Sequence, residues 1–507
     1  MSESTSQVLA PGFSRAAVEE LSRLKGEPDW MLQLRLHAWE TYENTPAALG
    51  RRGDLGTHRT VANFKFQHLS PFTPSHHTDA DHTDAGHADA IHRVPTFSPD
   101  KSGVGVNLSE EFERSGLIAQ VNSSVVHSEL RKDLKQQGVV LTDLDTAVRE
   151  YPELVQKYFM TECVPAATSK YTALHAAFWA GGFFLYVPEG IKIEQPILAQ
   201  VWLNTPLSAT FSHTLIIAEP QSSVRFVQEY NSLVAGDDPA LLSDVVEIYA
   251  NREARVEFSN IQDLGQNVWN IANKNAIHQH DSSVTFVIAD LGSAVNLETI
   301  GAGLQGNGSA AELVGVFFAD HSQRYAIHSL SDHIGLSTNA ETMVKGVLTG
   351  ESRVEFGGMI RVRPKAQQTT SFLSAHGLLL SKKARGEFIP GLEIAANEVS
   401  ASHGATTGQI DEDQLFYLMV RGIERPEAER IIVQGFFEPV LQRIPVENLR
   451  TRLRRSIVRR MSGGYETEAD TWIDAQERWE IEGVDEGAIH LDDSTREGNE
   501  DIQLTEY

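Results

Sequence analysis

Five residues or groups of residues in this 507-residue sequence have types and spacings that can do chemistry. His77, His82, His87 and His92 recur every five positions among Asp79, Asp81, Asp84 and Asp89. Imidazole and carboxylate together ligate divalent ions. Spacing by five does not return side chains to one helical face, however, and no neighbouring pattern supplies a rigid shell. A solvated low-complexity insert is therefore expected there. Cys163 is the sole cysteine, which excludes disulfide frameworks within the chain and any metal site built on several of its own thiolates. Without a partner thiol it reads as a small buried residue. His175 lies in an apolar helical stretch, where a hydrogen-bonded core histidine is expected. His403 is different, standing in Ser400-Ala401-Ser402-His403-Gly404-Ala405-Thr406 where a long strand pattern ends. Its two ring nitrogens either serve as a ligand or tie the end of the strand array to the helical region by hydrogen bonds. Finally, Glu253, Glu257, Glu351 and Glu355 flank recurring strands. Clustered carboxylates with a basic residue would suit proton transfer on a polysaccharide, but glutamates in repeat register are expected on solvated outward positions. No GxxxxGK[ST] loop occurs, and no GxGxxG opens a helix after a strand, so the chain shows no nucleotide site of its own.

The elements that must position these residues are set by a returning phrase. Ser222-Ser223-Val224-Arg225-Phe226 recurs as Ala254–Phe258, Ser282–Phe286 and Ser352–Phe356, with Ala384–Phe388 as a worn copy. Ser293–Leu297 and Ser309–Leu313 are looser variants. Alternation puts the two apolar side chains on one strand face, and the small residue before them marks a turn. Recurrence near 30 residues, with half-steps between, signals stacked units that bury their apolar faces against one another. Many short strands with almost no helix between them suit a β-helix better than a doubly wound sheet.

The flanks read as helix. Helical spacing runs from about Gly12 to Tyr42, broken at Gly26-Glu27-Pro28. The stretch from Thr45 to Asp100 reads as a long loop or a partly disordered linker. Helical signals return from Ser109 to Phe178, where Thr142-Asp143 can cap one segment and Pro152 is either an interruption or a new start. After the strands, Asp411 can cap a helix closed by Gly422. Pro426 opens a second, expected to stop at Gly435, and a third follows Pro445. That last helix carries Arg450, Arg452, Arg454, Arg455, Arg459 and Arg460, either a solvated face or a contact surface for an acidic partner. The expected divisions are a helical region over 1–180 with the insert at about 45–100, a β-helix core over 181–405, a helical region over 406–465 and an acidic tail over 466–507.

A hydrophobic share of 41% and a charged share of 22% are those of a soluble globular protein, and the length exceeds one ordinary core. A formal net charge of −26 argues against broad binding to nucleic acid or anionic membrane. No basic-then-apolar segment follows Met1, and no run approaches the ~18 apolar residues of a membrane span. A cytoplasmic protein is expected.

Three ordered blocks resemble the SufB/SufD family of iron–sulfur cluster assembly proteins. They are Leu24-Lys25-Gly26-Glu27-Pro28-Asp29-Trp30, then Gly181-Gly182-Phe183-Phe184-Leu185-Tyr186-Val187-Pro188, and finally Ser402–Gln409 with Gln414–Leu418 and Arg421-Gly422-Ile423. The resemblance implies a mainly β fold, a right-handed parallel β-helix flanked by N-terminal and C-terminal α-helical regions. It also implies a non-catalytic subunit that pairs with a second family member and docks an ABC-type ATPase. Carried over, the docking surface falls within 414–460, with Phe416, Tyr417, Arg421 and Gly422 on the matching motif.

Two departures resemble the D-type rather than the B-type subunit. The B-type has a cysteine where Ala375 stands, and a glutamate after the histidine where Gly404 stands. The resemblance thus implies no cofactor held permanently by this chain. It implies instead a transient iron–sulfur cluster or iron at a partner interface, with His403 lending one imidazole beside a partner's thiolate. A B-type-like subunit, a self-pairing homodimer and a polysaccharide-active β-helix enzyme remain as alternatives.

Overall fold

A computed structural model describes residues 8–47, 57–74, 113–234 and 236–462. Near the start, Ser14 accepts a hydrogen bond from the Ala17 amide and opens α1 (Arg15–Lys25), which Gly26 closes with φ 61°. Pro28 then leads into α2 (Asp29–Asn44). Within the stretch from Thr45 to Asp100, read as a loop or linker, the described residues include helical turns. These are α3 (Thr57–Ala62) and a short 3₁₀ turn, with Val61 and Leu69 fully buried. The histidine-rich run lies outside the described residues.

The segment from Ser109 to Phe178, expected to be helical, begins with strands. These are β1 (Gly116–Val121), β2 (Ser124–Leu130) and, after α4 (Lys132–Gln136), β3 (Val140–Asp143). Every residue of β1 is buried, so no period-two alternation was available to announce it. Helices then follow as expected: α5 (Leu144–Glu150) capped by Asp143, α6 (Pro152–Tyr158), and α7 (Lys170–Phe178).

From Phe183 the chain winds into a parallel β-helix whose strands alternate between two sheets. One sheet receives β5 (Ile197–Leu203), β7 (Ser223–Ser232), β9 (Arg255–Asp263), β11 (Ser283–Asp290), β13 (Ala310–Ala319), β15 (Asn339–Leu348), β17 (Thr369–Leu379) and β19 (Val399–Gln409). The other receives β4 (Phe183–Val187), β6 (Ala209–Ala218), β8 (Ala240–Ala250), β10 (Val268–His278) and β12 (Val295–Leu304). It continues with β14 (Arg324–His333), β16 (Arg353–Val362) and β18 (Arg385–Ile394). β1 and β2 extend the first sheet and β3 the second.

The recurring phrase is the corner plus the first inward pair of a strand. Val224 and Phe226 stack in register on Val256 and Phe258, then on Val284 and Phe286. The small residue has a definite job: Ser222, Ser282, Ser309 and Ser352 each donate their hydroxyl to the backbone oxygen three residues back, at 2.6–2.8 Å. Gln221, Glu253 and Asp281, just before the small residues Ser222, Ala254 and Ser282, take positive φ of 61°, 59° and 55° to turn the corner. Ser293–Leu297 is one residue out of this frame. Val295 and Leu297 face outward and join the cluster beneath the N-terminal helices, while Asn296 and Glu298 face in.

Those helices cover the outer face of the second sheet, where Phe211, Leu215, Leu241 and Val245 meet Trp39, Phe178 and Trp179. Arg35, fully buried, clamps the layer by donating to both Glu27 carboxylate oxygens (2.7 and 2.6 Å) and to the carbonyls of Ala177 and Trp179. After β19 come α8 (Glu412–Met419), α9 (Arg425–Leu441) and α10 (Glu447–Met461). The second runs through Gly435 rather than stopping there, and contains Pro439. Gly435 takes no positive φ, and burial of Phe437, Val440 and Leu441 beyond it rewards continuing the helix. The chain divides into two compact units, Met1–Arg450 and Thr451–Tyr507, the division falling inside α10.

Candidate functional site: the open end of the β-helix

His403 lies on β19, the outermost strand of its sheet. Its register partner is Leu373, and the same column continues down through Thr342, Leu313, Phe286, Phe258 and Phe226. That column is the interior of the β-helix: Phe226 and Phe258 are fully buried with ring centroids 6.0 Å apart. His403 therefore occupies an inward-facing position on the last coil and is exposed, where Leu373 one coil below is 1% exposed. Ala375 sits in the adjacent column, fully buried, with Ala405 above it.

The backbone at this end is unpaired on one side. Ile410 N–H donates to Leu379 O, and Glu398 O accepts from Gln368 N–H, so even-numbered peptide groups of β19 face β17. In a parallel strand the alternate groups face the other way. The N–H and C=O of Val399, Ala401, His403, Ala405, Thr407 and Gln409 thus point to the outer edge, where no described strand pairs. β18 differs. Its Arg385 and Ala395 amides donate to Ser352 O and Val362 O, which leaves even-numbered groups on the outer edge. One of these is Pro390, which has no N–H, so this second ladder is interrupted. Apolar side chains accompany the two edges: Ile389 is 52% exposed, and Leu392, Ile394 and Phe372 are comparably open.

His376, which sequence reasoning passed over, faces outward on β17. One ring nitrogen is 2.6 Å from Thr406 Oγ1 and the other 2.8 Å from Ser374 Oγ, tying the last two coils together. Partial burial, and then nearby Lys345, lower its pKa, favouring the neutral ring. Its position beside Ala375 in the sequence was the available signal.

The four residues expected to dock an ATPase gather on and just after α8. Asp411 caps this helix by accepting from the Asp413 and Gln414 amides, and Leu415 anchors it against Ile410 and Ala428. Phe416 and Tyr417 then face solvent, 65% and 55% exposed. The Arg421 guanidinium lies over the Tyr417 ring, 4.3 Å from its centroid. Gly422 ends the turn with φ 89°, a conformation an L side chain resists.

Cys163 and His175 are internal. Cys163 is buried, and burial pushes its thiol pKa well up, with Glu247 adding to the shift, so the thiolate is suppressed. His175 accepts or donates at Ser243 Oγ (3.0 Å) and at His213 Nδ1 (3.2 Å), in a chain that ends on Glu247, 3.1 Å from His213 Nε2. Burial lowers the pKa of His175 well below its usual value, with His213 contributing, so it is a neutral core group. Of the four repeat glutamates, Glu257 pairs with Arg225 and Glu351 with Lys383 on a neighbouring coil, while Glu253 pairs with Arg252 beside it. Glu355 departs from the solvated position expected of it: its outward side is covered and it is 4% exposed.

The SufBD core domain of the SUF system for FeS cluster assembly matches residues 201–436, and the SufBD protein N-terminal region matches 112–200. This chain belongs to the SufBD family. An iron-sulfur cluster assembly SufBD family protein of Staphylococcus epidermidis is 31% identical over 437 residues, 86% of this chain and 90% of the relative. Relatives in Staphylococcus haemolyticus and Staphylococcus aureus match at the same identity and coverage. In this SufBD chain the core match begins in β5 and ends in α9, so it takes in both outer edge strands and the α8 patch. Among the described residues, no helix is long and apolar enough to cross a membrane.

Proposed function

We propose that this SufBD-family chain is a D-type, non-catalytic scaffold subunit that pairs end-on with a B-type subunit and docks an ABC-type ATPase through α8. The supporting observation is the position of His403: an exposed imidazole on the last coil, beside a strand edge with six unused peptide groups. A partner strand laid on that edge would gain a hydrogen-bond ladder, and the exposed Ile389, Leu392 and Ile394 would gain apolar cover. His403 would then lie at the joint, able to ligate iron or a nascent cluster beside a thiolate from the partner. Two copies of this chain would bring two imidazoles together and no thiolate, because Cys163 is buried. On this reading a thiolate at the joint would come from a different subunit. The exposed Phe416, Tyr417 and Arg421 supply the aromatic and guanidinium anchors typical of interface centres.

Co-expression with a B-type subunit and the ATPase tests the reading, with co-purification and iron and sulfide analysis as readouts. Ala405→Pro removes one outer-edge donor and leaves the ladder to β17 intact, so it should weaken pairing while the fold persists. Co-purification unchanged by Ala405→Pro, or cluster assembly unchanged by His403→Ala, would contradict the joint and the ligand role respectively.

A further inference from the structure

The last described helix and the sequence after it are opposite in charge to an unusual degree. α10 carries Arg450, Arg452, Arg454, Arg455, Arg459 and Arg460 against one acid, Glu447. Leu449, Leu453 and Ile457 form its buried stripe, so the arginines occupy the remaining surface. Arg450, Arg452, Arg454, Arg455 and Arg460 are partly buried and Arg459 is exposed, so the helix presents a dense band of like charge. Residues 463–507 follow directly, with fifteen acidic residues and two basic ones, half of the chain's net charge of −26. Tyr465, Trp472 and Trp479 recur among those acids every seven positions, adding apolar anchors to the charge.

We infer that residues 463–507 are an intramolecular ligand for the arginine face of α10, held there by charge and displaced when an acidic partner takes that face. This goes beyond the docking role proposed above and does not depend on it. Tethering gives such a segment an effective concentration on the order of millimolar, so modest pairwise attraction suffices to hold it. Because the attraction is between charges near the surface, salt must release it.

Phenylglyoxal modification of arginines, followed residue by residue by mass spectrometry, tests the inference on the full chain and on a chain ending at Ser462. At low salt the α10 arginines of the full chain should react roughly tenfold more slowly than those of the shortened one. High salt should erase the difference, and the 463–507 peptide added in trans should restore part of the protection. Arg225, Arg361 and Arg363 on the β-helix should react alike in both chains, which checks that the fold is intact. Equal rates at α10 in the two chains at low salt would overturn the inference. Protection that is lost on dilution rather than on shortening would also overturn it, by assigning the cover to a second copy.

Discussion

β8 and β19 are strands of equal length in the same kind of parallel ladder, yet all eleven residues of β8 are buried and most of β19 is exposed. β8 has the interior on one face, helices on the other and a strand on each edge. β19 has one paired edge, an interior column that stops at His403, and no described cover. A parallel sheet is ordinarily buried on both faces, and an uncovered edge strand is a template for another chain. The contrast marks β19 as a surface left for a partner and β8 as a surface already used.

The two ends of the β-helix should therefore respond very differently to substitution. Phe258→Ala in the closed coils removes a fully buried ring and should cost about 3–5 kcal/mol. Phe372→Ala, 42% exposed near the open end, should cost well under 1 kcal/mol in the isolated chain. Paired denaturant unfolding curves check both, and equal losses would break the comparison.

Next in size is the clamp beneath the N-terminal helices. Burial alone would raise the Glu27 carboxyl, but Arg35 and then Lys25 outweigh it and hold the pKa at about 2, against 4.5 unpaired. A depressed carboxylate contributes stability above its unfolded pKa and loses it on acidification. Stability should therefore fall as pH drops from about 4.5 towards 2. Glu27→Gln should lose about 3 kcal/mol at neutral pH and flatten that part of the pH profile, read by thermal unfolding at stepped pH.

A corner hydroxyl should matter less. Ser282→Ala gives up the bond to Gln279 O and should cost about 1 kcal/mol by the same unfolding assay. Smallest of all should be His403→Ala, within about 0.5 kcal/mol in the isolated chain, because its ring is exposed. A large loss there would mean that His403 holds the fold, contrary to a role at a joint.

Much of this architecture was legible in the residues. The recurring phrase marked the inward pairs correctly at Val224/Phe226, Val256/Phe258 and Val284/Phe286, because one buried face imposes alternation. It misled at Val295/Leu297, where helices bury the opposite face as well and alternation no longer says which side is inside. β1 escaped for the same reason. Helix caps at Asp143 and Asp411 were read correctly because they are local, whereas Gly435 failed as a stop because later packing overrode a local preference. The interior charges were invisible. Lys274, 1% exposed, pairs with Glu298 and lies 3.3 Å from Asp244, and Tyr230 donates to Asp244, contacts that join strands from separate coils. At the open end His403 could be singled out by type and place, but the direction of its peptide groups and the gap at Pro390 come from register alone.

Residue-resolved hydrogen exchange along β19 tests the end-on joint most directly. In the dilute chain, the amides of Ala401, His403, Ala405 and Thr407 should exchange fast while Ser402, Gly404 and Thr406 between them stay protected. Adding a B-type subunit should protect the first set and leave the second unchanged. If the partner binds and the odd-numbered amides still exchange as in the free chain, the joint lies elsewhere and the account is wrong.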